Sequence, residues 1–90
     1  MRFEWNASKA AANLRKHGVS FDEAASVFFD LLSATAADPD HSLDERRFVT
    51  FGMSSSGRLL VVAHREHDNA IRIITARLAT RAERKLYEEG

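Results

Sequence analysis

The 90-residue sequence predicts one small α+β domain over residues 1–90: an antiparallel sheet with an N-terminal pair of helices and a C-terminal helix. Three observations predict this class. Helix-forming residues with apolar positions three and four apart occupy the first third of the chain. Three segments rich in β-branched residues, separated by short turns, occupy the second half. A capped helical pattern then closes the chain.

The first helix is predicted over Ala7–Lys16, where strong helix formers dominate. Its spacing assigns Asn13 to the solvent side. Gly18 is expected to end this helix, because glycine readily adopts the left-handed conformation of a helix C-terminus. The predicted buried stripe consists of Ala7, Ala10, Ala11 and Leu14.

The second helix is predicted to follow at once. Ser20 and Glu23 have the spacing of a capping box, in which each side chain bonds the other residue's backbone N–H. Because the apolar spacing continues to Leu32, we expect the helix to extend that far. Its predicted stripe consists of Phe21, Ala24, Ala25, Phe28 and Leu32.

The strands are predicted from alternation and from turn residues. They are Arg2–Trp5, a weak strand at Leu32–Ala37, Arg46–Met53, Arg58–Arg65 and Ile71–Leu78. The last three are joined by short turns and should form an antiparallel meander. A loop at residues 38–42 precedes the meander, and a helix capped by Thr80 and Glu83 should run to about Glu89. Trp5 is predicted to anchor the core.

Composition restricts the function classes. The 13 basic and 13 acidic residues cancel, but acidic residues cluster near residues 38–45 and basic residues near the C-terminus, so a local anion-binding face is possible. Without cysteine there is neither a disulfide nor a thiolate metal site. The His and carboxylate residues lack metal-site spacing, so no metal or other cofactor is expected. No apolar run approaches membrane-span length, and we expect a cytoplasmic protein without membrane contact.

Several motifs, in order, carry a family resemblance over essentially the whole chain. They are Phe3–Asn6, Ala12–Phe21, Asp38–Ser42, Glu45–Phe48, Gly57–Val62 with His64, Ile71–Arg77, and Thr80–Arg84 with Tyr87-Glu88. Together they resemble the BrnT family. The resemblance implies a RelE-like fold and a ribonuclease toxin of a type II toxin–antitoxin system that inhibits translation. It also implies a BrnA-like ribbon-helix-helix antitoxin, through which the complex contacts DNA.

Metal-independent cleavage of RNA requires a base for the ribose 2′-OH, cations for the phosphate and an acid for the leaving oxygen. Histidine suits the proton transfers, and the planar arginine fork suits the phosphate. As catalytic residues we predict His17, Lys16, His64, Arg72 and Arg77. As RNA-binding residues we predict Arg46, Arg65, Arg81 and Tyr87.

Each of these residues also has a structural interpretation. Lys16 and His17 suit the C-terminal end of a helix dipole, and His64 suits a satisfied core position. The arginines suit ion pairs, and Tyr87 suits an anchor for the last helix. Two other function classes stay open: a non-catalytic partner of a DNA-binding regulator, and a nucleic-acid-binding module without chemistry.

Overall fold

The computed structural model describes residues 1–39 and 46–89. Its elements are β1 (Phe3–Glu4), α1 (Ala7–His17), α2 (Phe21–Ser26), a 3₁₀ turn (Val27–Phe29), β2 (Ala34–Ala37), β3 (Arg47–Met53), β4 (Leu59–His67), β5 (Ala70–Leu78) and α3 (Arg81–Glu89). The predicted acidic loop falls mainly on residues 40–45, outside the described residues. No described helix has the length and apolar character needed to cross a membrane.

The five strands form one sheet in the order β1-β5-β4-β3-β2. The predicted meander is confirmed, because β3, β4 and β5 pair antiparallel in sequence order. The expectation of an antiparallel sheet is wrong for β1, which runs parallel to β5. This direction is possible because the helices and the other three strands, rather than a hairpin, connect β1 to β5.

The core lies between the sheet and the α1–α2 pair. Apolar side chains of α2 and the preceding corner meet those of β4 and β5 in one cluster: Val19, Phe21, Ala24, Val27, Leu60, Val62, Ile73 and Ala76. Trp5 packs against this cluster, with its ring 6.0 Å from that of Phe21 in an edge-to-face arrangement, which confirms its predicted role.

The predicted stripe of α1 is wrong. Leu14 is half exposed, whereas Asn13 is buried. The Asn13 amide donates to the carbonyl oxygens of Val19 (3.0 Å) and Ala76 (2.8 Å) and accepts from the Ala76 N–H (3.2 Å). Since β1 pairs only with Ile71 and Arg72, the rest of the β5 edge has unpaired backbone groups, and this amide satisfies two of them.

The second helix is shorter than predicted. α2 ends at Ser26 and tightens into the 3₁₀ turn, while Leu32 is exposed. The chain leaves the helix so that the Asp30 carboxylate can accept the backbone N–H groups of Met53 (2.7 Å) and Leu32 (2.9 Å). This contact ties the end of the helical layer to the end of β3.

Both capping predictions are confirmed at the cap itself. The Glu23 N–H donates to Ser20 Oγ at 3.0 Å, although the Glu23 carboxylate turns elsewhere. At α3 the box is complete, because the Glu83 N–H donates to Thr80 Oγ1 at 3.2 Å and Glu83 Oε1 accepts the Thr80 N–H at 2.8 Å. Gly18 ends α1 with a φ of 69°, as predicted.

Candidate functional site

The face of the sheet turned away from α1 and α2 contains a groove of about 590 Å³. Leu60 and Val62 point into the core, so the alternating residues Val61 and Ala63 point to the groove. With Val49 and Phe51 of β3 they form an apolar floor. The small side chains of β2 border one side. The charged groups of the groove are Asp38, Arg47, Arg77 and Glu83.

Arg77 is fixed in the groove by a two-point ion pair. Its Nη1 lies 2.7 Å from Glu83 Oε1 and its Nη2 lies 2.9 Å from Glu83 Oε2. The hydrogen bond to Arg77 is the main reason that the pKa of Glu83 falls to about 2, and the same contact raises the pKa of Arg77. Because the capping box holds Glu83, the guanidinium has a defined orientation beside the apolar floor.

Arg47 is the second groove arginine, and the sequence interpretation missed it. Its Nε lies 3.1 Å from Asp38 Oδ2, with both side chains largely covered. Arg46, the predicted RNA-binding residue, precedes β3 and is exposed. The alternation of Arg47 with Val49 and Phe51 is the signal that identifies the groove-facing arginine.

The end of α1 lies beside the end of β5. Asn13, one turn before His17, bonds Ala76, the residue before Arg77. Lys16 is exposed and His17 is half-buried, and neither makes a side-chain hydrogen bond or ion pair within the described part of the chain. The fold therefore brings the helix end that carries these two residues to the strand end that carries Arg77.

A polar network fixes the α1–α2 corner, and sequence reasoning did not find it. Arg58 donates through Nη2 to the carbonyl of Gly18 (3.0 Å) and pairs with Glu23 through Nε (2.9 Å) and Nη2. The hydroxyl groups of Ser54 (2.7 Å) and Ser56 also donate to Glu23. These contacts, led by the bond to Arg58, lower the pKa of Glu23 to about 2.

His64 lies in the core, on the face of β4 covered by the helices. Its Nε2 is 2.7 Å from Thr50 Oγ1, and its ring packs against Phe28 (4.8 Å) and Phe48 (6.0 Å between centroids). Burial lowers its pKa to about 4, so the imidazole is neutral near neutral pH. The structure does not bring His64 together with the groove arginines.

The remaining predicted residues occupy separate positions. Arg72 Nη1 lies 2.6 Å from Glu4 Oε2, at the end of β5 remote from Arg77. The Tyr87 hydroxyl donates to Asp30 at 2.5 Å, a contact that anchors α3. Arg81 is the exposed first residue of α3, and Arg65 lies on β4 beside Arg72. Among residues 1–39 and 46–89, no cluster of three or more His, Cys, Asp or Glu side chains is arranged to hold a metal ion.

Fold and site define a small α+β protein whose helix pair covers one sheet face and leaves on the other an apolar-floored groove with two arginine–carboxylate pairs. The family model of the ribonuclease toxin BrnT of type II toxin–antitoxin systems matches residues 5–83. The chain therefore belongs to the BrnT family of ribonuclease toxins. Membership implies an RNA substrate and an antitoxin partner.

The fold is similar to that of the Brucella abortus ribonuclease toxin BrnT, known from a 1.1 Å crystal structure. The TM-score is 0.71, and the match covers 90% of this chain and 99% of that chain. Sequence identity is 21%, so this likeness supports the fold alone. No curated protein matches the sequence.

Proposed function

We propose that this protein is a metal-independent endoribonuclease that cleaves RNA by attack of a ribose 2′-oxygen on the adjacent phosphate, and thereby inhibits translation. The observation that carries the proposal is Arg77, a guanidinium oriented by Glu83 at the apolar floor of an open groove. A fixed cation can stabilise the charge that develops on the phosphate oxygens without reorganising in the transition state.

Proton transfer is assigned to the end of α1. His17 and Lys16 lie on the helix turn that Asn13 ties to β5 next to Arg77. In the proposed reaction one of these two groups accepts the 2′-OH proton. The 2′-oxygen then bonds to phosphorus, the bond to the leaving 5′-oxygen breaks, and the other group protonates that oxygen. The products are a 2′,3′-cyclic phosphate and a free 5′-hydroxyl.

The direct test incubates the purified protein with RNA in excess EDTA and identifies the chain ends. We expect cleavage with 2′,3′-cyclic phosphate ends, and none at a position that carries a 2′-deoxyribose. Loss of activity in EDTA, or cutting beside the 2′-deoxyribose, would contradict the mechanism. Cleavage absent altogether, with antitoxin binding retained, would favour a non-catalytic role.

Arg77→Ala should lower kcat by about 10²- to 10³-fold, the usual effect of removing a group that stabilises transition-state charge. Lys9→Ala is the matched control, because Lys9 is an exposed cation in the first turn of α1, at the opposite end of that helix from Lys16 and His17. His17→Ala and Lys16→Ala should each lower kcat and alter its pH profile. If all three site variants cleave as fast as Lys9→Ala, the assignment of the site is wrong.

The antitoxin is proposed to be a BrnA-like ribbon-helix-helix protein that inhibits the toxin and provides the DNA contacts of the complex in the cytoplasm. Family membership supports the pairing, and the charged groove offers a surface that an inhibitor can occlude. Co-expression with the protein encoded by the adjacent reading frame should restore growth and yield a copurifying complex. Free toxin should not bind operator DNA in a shift assay, whereas the complex should.

A further inference from the structure

Three arginines lie side by side across the open face, at the end of the groove remote from Arg77. Arg47 is directly opposite Arg65, and Arg65 is directly opposite Arg72. Opposite residues on neighbouring antiparallel strands share a face and have Cα atoms about 5 Å apart. Arg47, Arg65 and Arg72 therefore form a line across β3, β4 and β5, called here the arginine row.

The arginine row is an arrangement that folding alone does not favour. Like charges directly opposite each other on neighbouring strands repel. The sheet places a carboxylate at each end of the row: Asp38 bonds Arg47 at 3.1 Å, and Glu4 bonds Arg72 at 2.6 Å. These two contacts hold the outer side chains in place. Each uses one guanidinium nitrogen, Arg47 Nε or Arg72 Nη1, so the other N–H groups of both arginines can donate to phosphate oxygens.

The row and Arg77 are separated along the strands. Arg77 is opposite Val61, and Arg65 follows Val61 by four residues of β4, which is about 13 Å at 3.3 Å per residue. Ala63 and Val49 lie between the two basic positions on the same face. Glu4 and Glu83 hold Arg72 and Arg77 at opposite ends of β5, so the two positions suit separate phosphates of one polyanion.

We propose that the arginine row is a second phosphate-binding subsite, which selects single-stranded RNA long enough to reach from Arg77 to the row. This inference rests on the proposed function, in which Arg77 holds the phosphate that is cleaved. The apolar floor favours a single strand, because unstacked bases can contact Phe51, beside Arg77, and Val49, between the subsites, whereas paired bases are turned inward.

The test measures binding and cleavage separately. Binding of a labelled octanucleotide with 2′-O-methyl riboses, which cannot be cleaved by 2′-oxygen attack, is followed by anisotropy over a range of salt concentrations. We expect Arg65→Ala and Arg72→Ala each to weaken binding and to reduce the slope of log K against log salt by about 0.7 per lost phosphate contact. Arg65→Lys keeps the charge and should retain the slope, and Lys9→Ala should match the wild type.

The cleavage arm compares kcat/KM for an octanucleotide and a dinucleotide. The ratio should exceed one for the wild type and fall at least several-fold in Arg65→Ala and Arg72→Ala. Unchanged slopes and ratios in folded variants would overturn the proposal, as would an acidic peptide of equal charge that binds as tightly as the RNA. If the wild type cleaves no RNA but the row variants lose salt-dependent binding, the subsite stands and only the proposed chemistry fails.

Discussion

Replacement of Asn13 by alanine should be among the most destabilising single changes in this domain. The side chain is 8% exposed and makes three hydrogen bonds, all to backbone groups of the fully buried residues Val19 and Ala76. Alanine cannot form these hydrogen bonds, so the buried backbone groups of Val19 and Ala76 would have neither the amide nor water as a partner. At a net value of about 1 kcal/mol for each bond, the loss is about 3 kcal/mol.

That loss is large for a chain of this size. Ninety residues at about 0.05–0.15 kcal/mol each give a total stability of roughly 5–13 kcal/mol. For domains of this length each kcal/mol corresponds to roughly 4–8 °C, so we expect the Tm to fall by about 12–24 °C. Urea unfolding followed by Trp5 fluorescence gives the free energy, since the Trp5 ring packs against Phe21 in the core.

Asn13→Leu separates hydrogen bonding from volume. Leucine fills the space, but it leaves the backbone N–H and C=O of Ala76 unpaired, so it should also be destabilising. If Asn13→Leu unfolds at the wild-type urea concentration, or if Asn13→Ala costs less than about 0.5 kcal/mol, this amide does not stabilise the β5 edge as proposed.

Three further outcomes follow from the packing and the pKa values. Gly52→Ala should lower the free energy of unfolding in urea by about 1–3 kcal/mol, because the new Cβ would lie 2.7 Å from Val27 Cγ1. An unchanged urea midpoint would show that Val27 can move away without an energetic cost. The pKa of His64 is about 4 in the folded chain and 6.5 unfolded, so its contribution is complete above pH 6.5 and is lost as the pH falls toward 4. The corresponding loss of unfolding free energy is about 3 kcal/mol. In His64→Gln the unfolding free energy should therefore change less between pH 6.5 and 4.5 than in the wild type. An equal slope of unfolding free energy against pH in the two proteins would contradict this prediction. Tyr87→Phe removes the bond to Asp30 and should lower stability by about 1 kcal/mol, while equal midpoints would mean that this contact does not hold α3.

The sequence correctly predicted local structure wherever neighbouring residues determine the conformation. The caps at Ser20 and Thr80, the end of α1 at Gly18 and the three-strand meander depend on interactions within a few residues, and all are confirmed. The family motifs also span enough of the chain to identify the BrnT family, which the match over residues 5–83 confirms.

Long-range pairing decided what the sequence could not. Periodicity assigned Asn13 to solvent, because a polar residue is normally exposed on a helix. In the structure its buried amide bonds the backbone N–H and C=O of Ala76, which have no strand partner at the incomplete edge of β5. Similarly, α2 ends early because Asp30 bonds the distant Met53 N–H. The parallel pairing of β1 with β5 joins residues almost seventy positions apart, beyond any local signal.

For the candidate site, too, the sequence supplied the residue types and the tertiary structure supplied their positions. The residue types suited to RNA chemistry, arginine, lysine and histidine, were present in the sequence, and the role of Arg77 stays a prediction made from them. The sequence left His64 open between a catalytic and a core position, and the tertiary structure placed it in the core. Only the tertiary structure placed Arg47 in the groove and three arginines in one row. The physical reason is that residue type fixes which chemistry a side chain can perform, whereas strand register and the face covered by the helices fix whether it meets a substrate.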